Sequence, residues 1–156
     1  MVVVAFGSNL GDRHTAIRDA GVRVAALLTS FRLSPIIETL PVGEGLESDP
    51  PYLNAVGVGE STLSPREVFA ELRAIEAAAG RTRSTPGAPR TLDLDLILAG
   101  DQVVDEPGLQ VPHPRFRERL FVLEPLAAIT PDLVDPVTGL TIRELLRAVQ
   151  EKRPER

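Results

Sequence analysis

Cysteine does not occur among the 156 residues, so disulfides, thiolate nucleophiles and zinc–thiolate sites are excluded together. Any chemistry must then rest on carboxylates, guanidinium groups or the imidazoles of His14 and His113. Tryptophan is also absent, and the aromatic complement is one tyrosine and five phenylalanines. Lysine occurs once, as Lys152, so no phosphate-binding loop with its Gly-Lys-Ser/Thr ending can be present. The other 16 of the 17 basic residues are arginines, which suit bidentate contacts with phosphate. A bias in base composition would produce the same excess, so the placement of the arginines has to decide. The longest apolar run, Met1 to Phe6, is six residues against the roughly 20 needed to span a bilayer. Neither a membrane span nor a secretory leader is expected, and the cytoplasm is the expected compartment. A net charge of −5 argues against broad attraction to nucleic acid or anionic membranes.

What is present reads as an ordinary globular chain, 43% apolar and 25% charged, and its length predicts one domain over residues 1–156 with a frayed tail. Met1 to Phe6 is β-branched and apolar, which predicts a buried strand leaving through the turn residues Gly7 to Asp12. From Thr15, Ile17, Ala20, Val24, Leu27 and Leu28 recur at helical spacing. Phe31 to Thr39 is predicted as a second strand, Pro41 to Pro51 as a loop, and the valine-rich Tyr52 to Ser61 as a third strand. Ser64-Pro65-Arg66-Glu67 is a capping box with proline at the first helical position, and Gly80 is placed to end that helix. Arg81 to Pro89 has no apolar period and predicts a mobile loop. Thr91 to Ala99 is a strand, Gly100-Asp101 a turn, and Gln102 to Pro112 a short hairpin or β-arm. Helices follow over Phe116 to Ile129 and from Ile142, the second with a Thr141-x-x-Glu144 capping box. The order is that of an α+β, ferredoxin-like split βαβ core: an antiparallel sheet with helices on one face, plus a β-arm and C-terminal helices.

Arg90-Thr91-Leu92-Asp93-Leu94-Asp95-Leu96-Ile97-Leu98 carries the strongest chemical signal. In a strand Asp93 and Asp95 share one face with Cα atoms about 6.6 Å apart, while Leu92, Leu94, Leu96 and Leu98 line the other. Like charges this close are costly without a cation between them, and hard oxygen ligands select magnesium or manganese. Two aspartates on the solvated face of an edge strand would give the same local pattern. The surroundings favour metal, because Arg81, Arg83 and Arg90 precede the pair, Arg115, Arg117 and Arg119 follow it, and the pair supplies the only acids from Ala77 to Gly100. Carboxylates for metal amid guanidinium groups suit a polyphosphate bound with magnesium. His113, between Pro112 and Pro114, is open to either a packing or a ligand role, as are Tyr52 and Phe121.

Taken together, Phe6-Gly-Ser-Asn-Leu-Gly-Asp12, Tyr52-Leu-Asn-Ala55, Gly80-Arg-Thr-Arg83, Pro89-Arg-Thr-Leu-Asp-Leu-Asp-Leu96 and Val111-Pro-His-Pro114 closely resemble the hydroxymethyldihydropterin pyrophosphokinase family, in the same order from Val2 to about Leu146. The resemblance implies a ferredoxin-like core and transfer of a pyrophosphoryl group from ATP to 6-hydroxymethyl-7,8-dihydropterin, releasing AMP in folate synthesis. It also implies two Mg²⁺ ions on Asp93 and Asp95, and phosphate grips at Arg81, Arg83 and Arg90. The ATP side would include Glu76, Leu96, His113 and Arg119. The pterin would lie between Tyr52 and Phe121, its polar edge read by Asn54 and the backbone from Thr39 to Val42. No protein partner is implied. The chain departs from the family at Ser84 to Ala88, where an arginine–tryptophan pair is often found, which predicts weaker closure or compensation by Arg115 or Arg117. Two other readings of the same residues are a magnesium-dependent nucleotidyltransferase and a non-enzymatic ferredoxin-like sensor of small ligands.

Overall fold

Alternating apolar side chains put two different faces of one sheet to use. The computed structural model describes residues 1–9, 12–39, 51–79 and 92–152. Its main sheet contains β1 (Val2–Ser8), β2 (Thr29–Leu33), β3 (Ile37–Thr39), β4 (Tyr52–Glu60) and β5 (Asp93–Ala99). The order is β2-β4-β1-β5, all pairs antiparallel, with β3 also beside β4. Helices α1 (Arg13–Ala25) and α2 (Pro65–Ala78) link β1 to β2 and β4 to β5, which is the ferredoxin-like arrangement the element order predicts.

On one face Val2, Val4, Phe6, Leu53, Ala55, Leu94 and Leu96 pack against Ile17, Ala20 and Val24 of α1 and Val68, Leu72 and Ile75 of α2. The other face is not left to solvent, contrary to the expectation of helices on one side alone. Val3, Val56, Val58, Ile97 and Leu98 form a second core with Phe116 and with α3 (Leu120–Ile129) and α4 (Ile142–Lys152). A sheet apolar on both faces needs two covers, and the C-terminal helices supply the second.

The predicted strand from Phe31 to Thr39 is two strands, because Ser34-Pro35-Ile36 interrupts it. Both pieces still pair with β4, and the Ser34 hydroxyl accepts the Val56 N–H at 2.8 Å in place of a ladder bond. The first helix begins at Arg13 rather than Thr15, because Asp12 caps it by accepting the Thr15 N–H at 3.2 Å and hydroxyl at 2.8 Å. The α2 capping box forms as predicted, with Ser64 N–H to Glu67 Oε1 at 2.9 Å and Glu67 N–H to Ser64 Oγ at 3.1 Å. The terminator assigned to Gly80 lies outside the described residues. The expected arm is a hairpin of β6 (Val104–Glu106) and β7 (Leu109–Val111), turned by Pro107-Gly108 with Gly108 at φ 81°. Arg66 of α2 pairs with Glu106 and ties the arm to the helix. The predicted helix from Phe116 divides into a 3₁₀ turn, Phe116–Glu118, and α3, with extended backbone at Arg119 between them.

A shift of register corrects one further expectation. Val4 pairs with Leu96 but Val3 pairs with Leu98, so Ile97 is an extra residue in β5. Leu98 therefore joins Ile97 in the second core instead of sharing a face with Leu92, Leu94 and Leu96. Among the described residues, no helix is long and apolar enough to cross a membrane.

Candidate active site

Strand register assembles the site. Asp93 pairs with Gly7 and Asp95 with Ala5 on one side of β1, while Asn54 of β4 pairs with the same Gly7 on the other. Directly paired residues share a face, so both carboxylates, Gly7 and Asn54 lie on the α3/α4 side of the sheet. Asp93 and Asp95 are half-buried there, backed on the opposite face by the buried Leu92, Leu94 and Leu96. Tyr52 and Asn54 extend the row, with Thr39 paired to Tyr52 and its hydroxyl accepting from Asn54 Nδ2 at 2.7 Å. That bond holds the Asn54 amide in one orientation.

Gly7 is the floor between Asn54 and Asp93. A Cβ built there would stand 3.5 Å from Asn54 Oδ1 and 3.9 Å from Asp93 Cβ, so any side chain would fill the space between the polar row and the carboxylates. With strands about 4.8 Å apart, Asn54 and Asp93 are separated by about 10 Å of sheet.

Along the other side of β5 lies a cavity of about 530 Å³, lined by Phe69 and Arg73 of α2, Asp95 and Leu96 of β5, the arm from Asp105 to Gln110, and His113. Asp95 thus borders both the cavity and the sheet-face row. Arg73 lies 4.6 Å over the Phe69 ring and bonds Glu76 Oε1 at 2.7 Å. Glu76 is 2% exposed, and its Oε2 accepts the Leu94 N–H at 2.7 Å, between the two aspartates. It therefore reaches the cavity through Arg73 and the carboxylate strand through a backbone amide. Replacing Glu76 with alanine leaves that amide without this acceptor and Arg73 without its counter-charge, at a cost of about 3 kcal/mol. Thermal denaturation should show Tm falling by roughly 6–12 °C, with Glu76→Gln, which keeps an acceptor, recovering part of it.

His113 is fixed by its N–H on Ile97 O at 2.9 Å, and its Nδ1 accepts the Arg115 N–H at 3.2 Å. Burial, then the charges of Arg119 and Arg115, hold its pKa below the ordinary 6.5. The ring is thus neutral at pH 7, with its proton on Nε2 as the hydrogen-bond pattern requires. Arg119 lies 5.5 Å from the centroid of the Phe121 ring, and Phe121 is 37% exposed. Arg117 is not placed for loop closure: its guanidinium bonds the buried Asp135 and stacks over Phe116 at 4.8 Å. Arg81, Arg83, Arg90 and Val42 lie outside the described residues.

The structure thus joins Asp95, Leu96 and His113 in one cavity wall, and Thr39, Tyr52 and Asn54 in one row, with Asp93 and Asp95 between. Sequence reasoning passed over Arg73, and took Gly7 as part of a turn that could bring backbone close to a ligand and not as the floor between Asn54 and Asp93. The pairing of Arg73 with Glu76 at helical spacing was a signal for the first, whereas the role of Gly7 depends on register.

The donor set suits a hard divalent cation: two half-buried carboxylates on one rigid face, beside a floor kept open by glycine. Among the described residues no cluster of three or more potential metal-binding side chains occurs.

This is a ferredoxin-like α+β protein whose paired carboxylates stand between a cavity of about 530 Å³ and a polar sheet face. The family model described as 7,8-dihydro-6-hydroxymethylpterin-pyrophosphokinase matches residues 3–131, and the chain belongs to that family. The 2-amino-4-hydroxy-6-hydroxymethyldihydropteridine pyrophosphokinase of Synechocystis sp. is 47% identical over 149 residues, 94% of this chain and 75% of that one. Its namesake from Pseudomonas aeruginosa is 40% identical over 150 residues, 94% of this chain and 90% of that one. Folic acid synthesis protein fol1 of Pneumocystis carinii is 37% identical over 142 residues, which make up 90% of this chain but 19% of the fungal protein. The crystal structure of wild-type Plasmodium falciparum HPPK-DHPS superposes with a TM-score of 0.71 at 12% identity, over 94% of this chain and 44% of that one, a likeness of fold.

Proposed function

We propose that the chain transfers the terminal pyrophosphoryl group of ATP to the hydroxymethyl oxygen of 6-hydroxymethyl-7,8-dihydropterin, giving AMP and the pterin diphosphate for folate synthesis. The observation that carries this reading is the placement of Asp93 and Asp95 between two dissimilar subsites, a cavity along β5 and the Tyr52–Asn54–Thr39 row. In the reaction the hydroxymethyl oxygen forms a bond to the β-phosphorus as the bond from that phosphorus to the α–β bridging oxygen breaks. AMP leaves with the electron pair, and the hydroxyl proton passes to solvent. In-line displacement of this kind depends on position and on charge stabilisation.

Each residue has a separate task. Asn54, oriented by Thr39, hydrogen-bonds the pterin's polar edge, and Tyr52 and Phe121 flank its ring. Neutral His113 donates from Nε2 on the nucleotide side, with Leu96 lining the cavity and Arg119 bringing positive charge. Arg73, steered by Glu76, adds a guanidinium to the same wall. Asp93 and Asp95 would hold two Mg²⁺ ions, which would supply neutralisation of phosphate charge. Arg81, Arg83 and Arg90 grip the phosphates.

Incubation with ATP, Mg²⁺ and the hydroxymethyl pterin, followed by separation of nucleotides, tests the reading. AMP with pterin diphosphate is the expected result. Free pyrophosphate would indicate nucleotidyl transfer, and unchanged ATP a sensor.

A further inference from the structure

The segment from His113 to Phe121 carries His113, Arg119 and Phe121, which serve both subsites in the function proposed above, yet it has little regular structure. Its one 3₁₀ turn is Phe116–Glu118, neither that turn nor α3 has a side-chain cap, and Arg119 is extended at φ −106° and ψ 103°. Three local backbone bonds turn it, from Phe116 N–H to His113 O at 3.3 Å, Glu118 N–H to Arg115 O at 3.0 Å and Arg119 N–H to Phe116 O at 3.2 Å, so its position against the rest of the fold is left to longer-range contacts. On the sheet side, His113 N–H bonds Ile97 O, and Phe116 is wholly buried. On the far side the tie is Arg117, whose Nε and Nη2 donate to Asp135 Oδ2 at 2.5 Å and Oδ1 at 3.0 Å.

Asp135 is 0% exposed and is itself immobilised. Oδ1 accepts the Val137 N–H at 3.0 Å and Oδ2 the Thr138 hydroxyl at 2.7 Å. Its own N–H bonds Leu140 O at 2.8 Å, its carbonyl accepts the Gly139 N–H at 2.8 Å, and Val134 bridges Thr141 to close the loop. Burial pushes its carboxyl up, but hydrogen bonds from Arg117, Thr138 and Val137 together with the Arg117 charge outweigh this and hold it below the usual range. A bidentate carboxylate fixes the plane of a guanidinium, and the Phe116 ring fixes it from another side at 4.8 Å. Asp135 stands four residues beyond residue 131, where the family match ends.

We propose that Asp135, acting through Arg117, is a positioning residue that sets the 113–121 segment so that His113 and Arg119 meet the nucleotide and Phe121 meets the pterin. The inference rests on the reading of the two subsites given above. A displaced segment weakens both substrates' contacts and leaves the carboxylate pair in place, so its signature lies in KM and not in kcat.

Steady-state kinetics on the full chain test this. Asp135→Asn and Arg117→Lys, the second keeping the charge but losing the fork, should each raise KM for ATP and for the pterin about tenfold, with kcat within about threefold of the parent. Because breaking a buried pair can unfold a protein, the apolar exchange Asp135→Leu with Arg117→Met serves as a second variant, expected to fold and to show the same rise. Circular dichroism and thermal denaturation confirm that each variant is folded at the assay temperature. Parental KM values in folded variants, even ones with lowered Tm, would overturn the positioning role while leaving the proposed reaction standing. A parent chain that forms no AMP would instead remove the reaction and this inference with it.

Discussion

Asp95→Ala should lower AMP formation by at least about 10³-fold while leaving circular dichroism and Tm close to those of the parent. Divalent ions contribute several kcal/mol to charge stabilisation in such displacements, and each 1.36 kcal/mol is a factor of ten in rate. Asp95 is half-buried and paired with Ala5, so its removal opens no cavity in either core. Calorimetry supplies a readout independent of turnover: titration of Mg²⁺ in the presence of a non-hydrolysable ATP analogue should lose its heat of binding. A variant with full activity and unaltered Mg²⁺ binding would remove the carboxylate pair from the mechanism.

Gly7→Val should also lower activity while holding or strengthening the strand. Glycine weakens a strand interior and valine is among the best strand formers, so stability should hold or rise by up to about 1 kcal/mol. The Cβ itself meets only ordinary contacts, at 3.5 Å to Asn54 Oδ1 and 3.9 Å to Asp93 Cβ. The methyl groups, however, project into the space between Asn54 and Asp93 that the proposed reaction needs open for the hydroxymethyl oxygen, and misplacement by 1 Å costs about 10²-fold. Activity should fall at least about 10²-fold, with Gly7→Ala intermediate. Parallel measurement of turnover and urea midpoint checks both halves. Unimpaired turnover in folded Gly7→Val would mean that the two subsites do not communicate across this floor.

Much of this architecture could be read from the chain. The Ser64–Glu67 and Thr141–Glu144 boxes marked two helix starts, because the side chains that satisfy free amides are adjacent in sequence. Alternation placed Asp93 and Asp95 on one face for an equally local reason, the period of a strand. Errors arose where a partner was distant. Leu98 changed faces because Val3 and Val4 pair across an extra residue, which no pattern in 91–99 reveals. Proline and serine broke the strand at 34–36, although each half still found β4. The second core was missed because helices at the end of a chain do not declare which face they cover. Arg117 had looked available as a phosphate grip, since its partner Asp135 lies 18 residues away on another loop.

The extra residue at Ile97 leaves β5 divided between two duties. Above it, the length from Asp93 to Leu96 takes its alignment from Ala5, Phe6 and their neighbours; below it, Ile97 and Leu98 lock into the packing under the C-terminal helices. Repacking beneath α3 and α4 therefore acts first on Ile97 and Leu98, on the far side of the extra residue from the register that aligns the acidic pair.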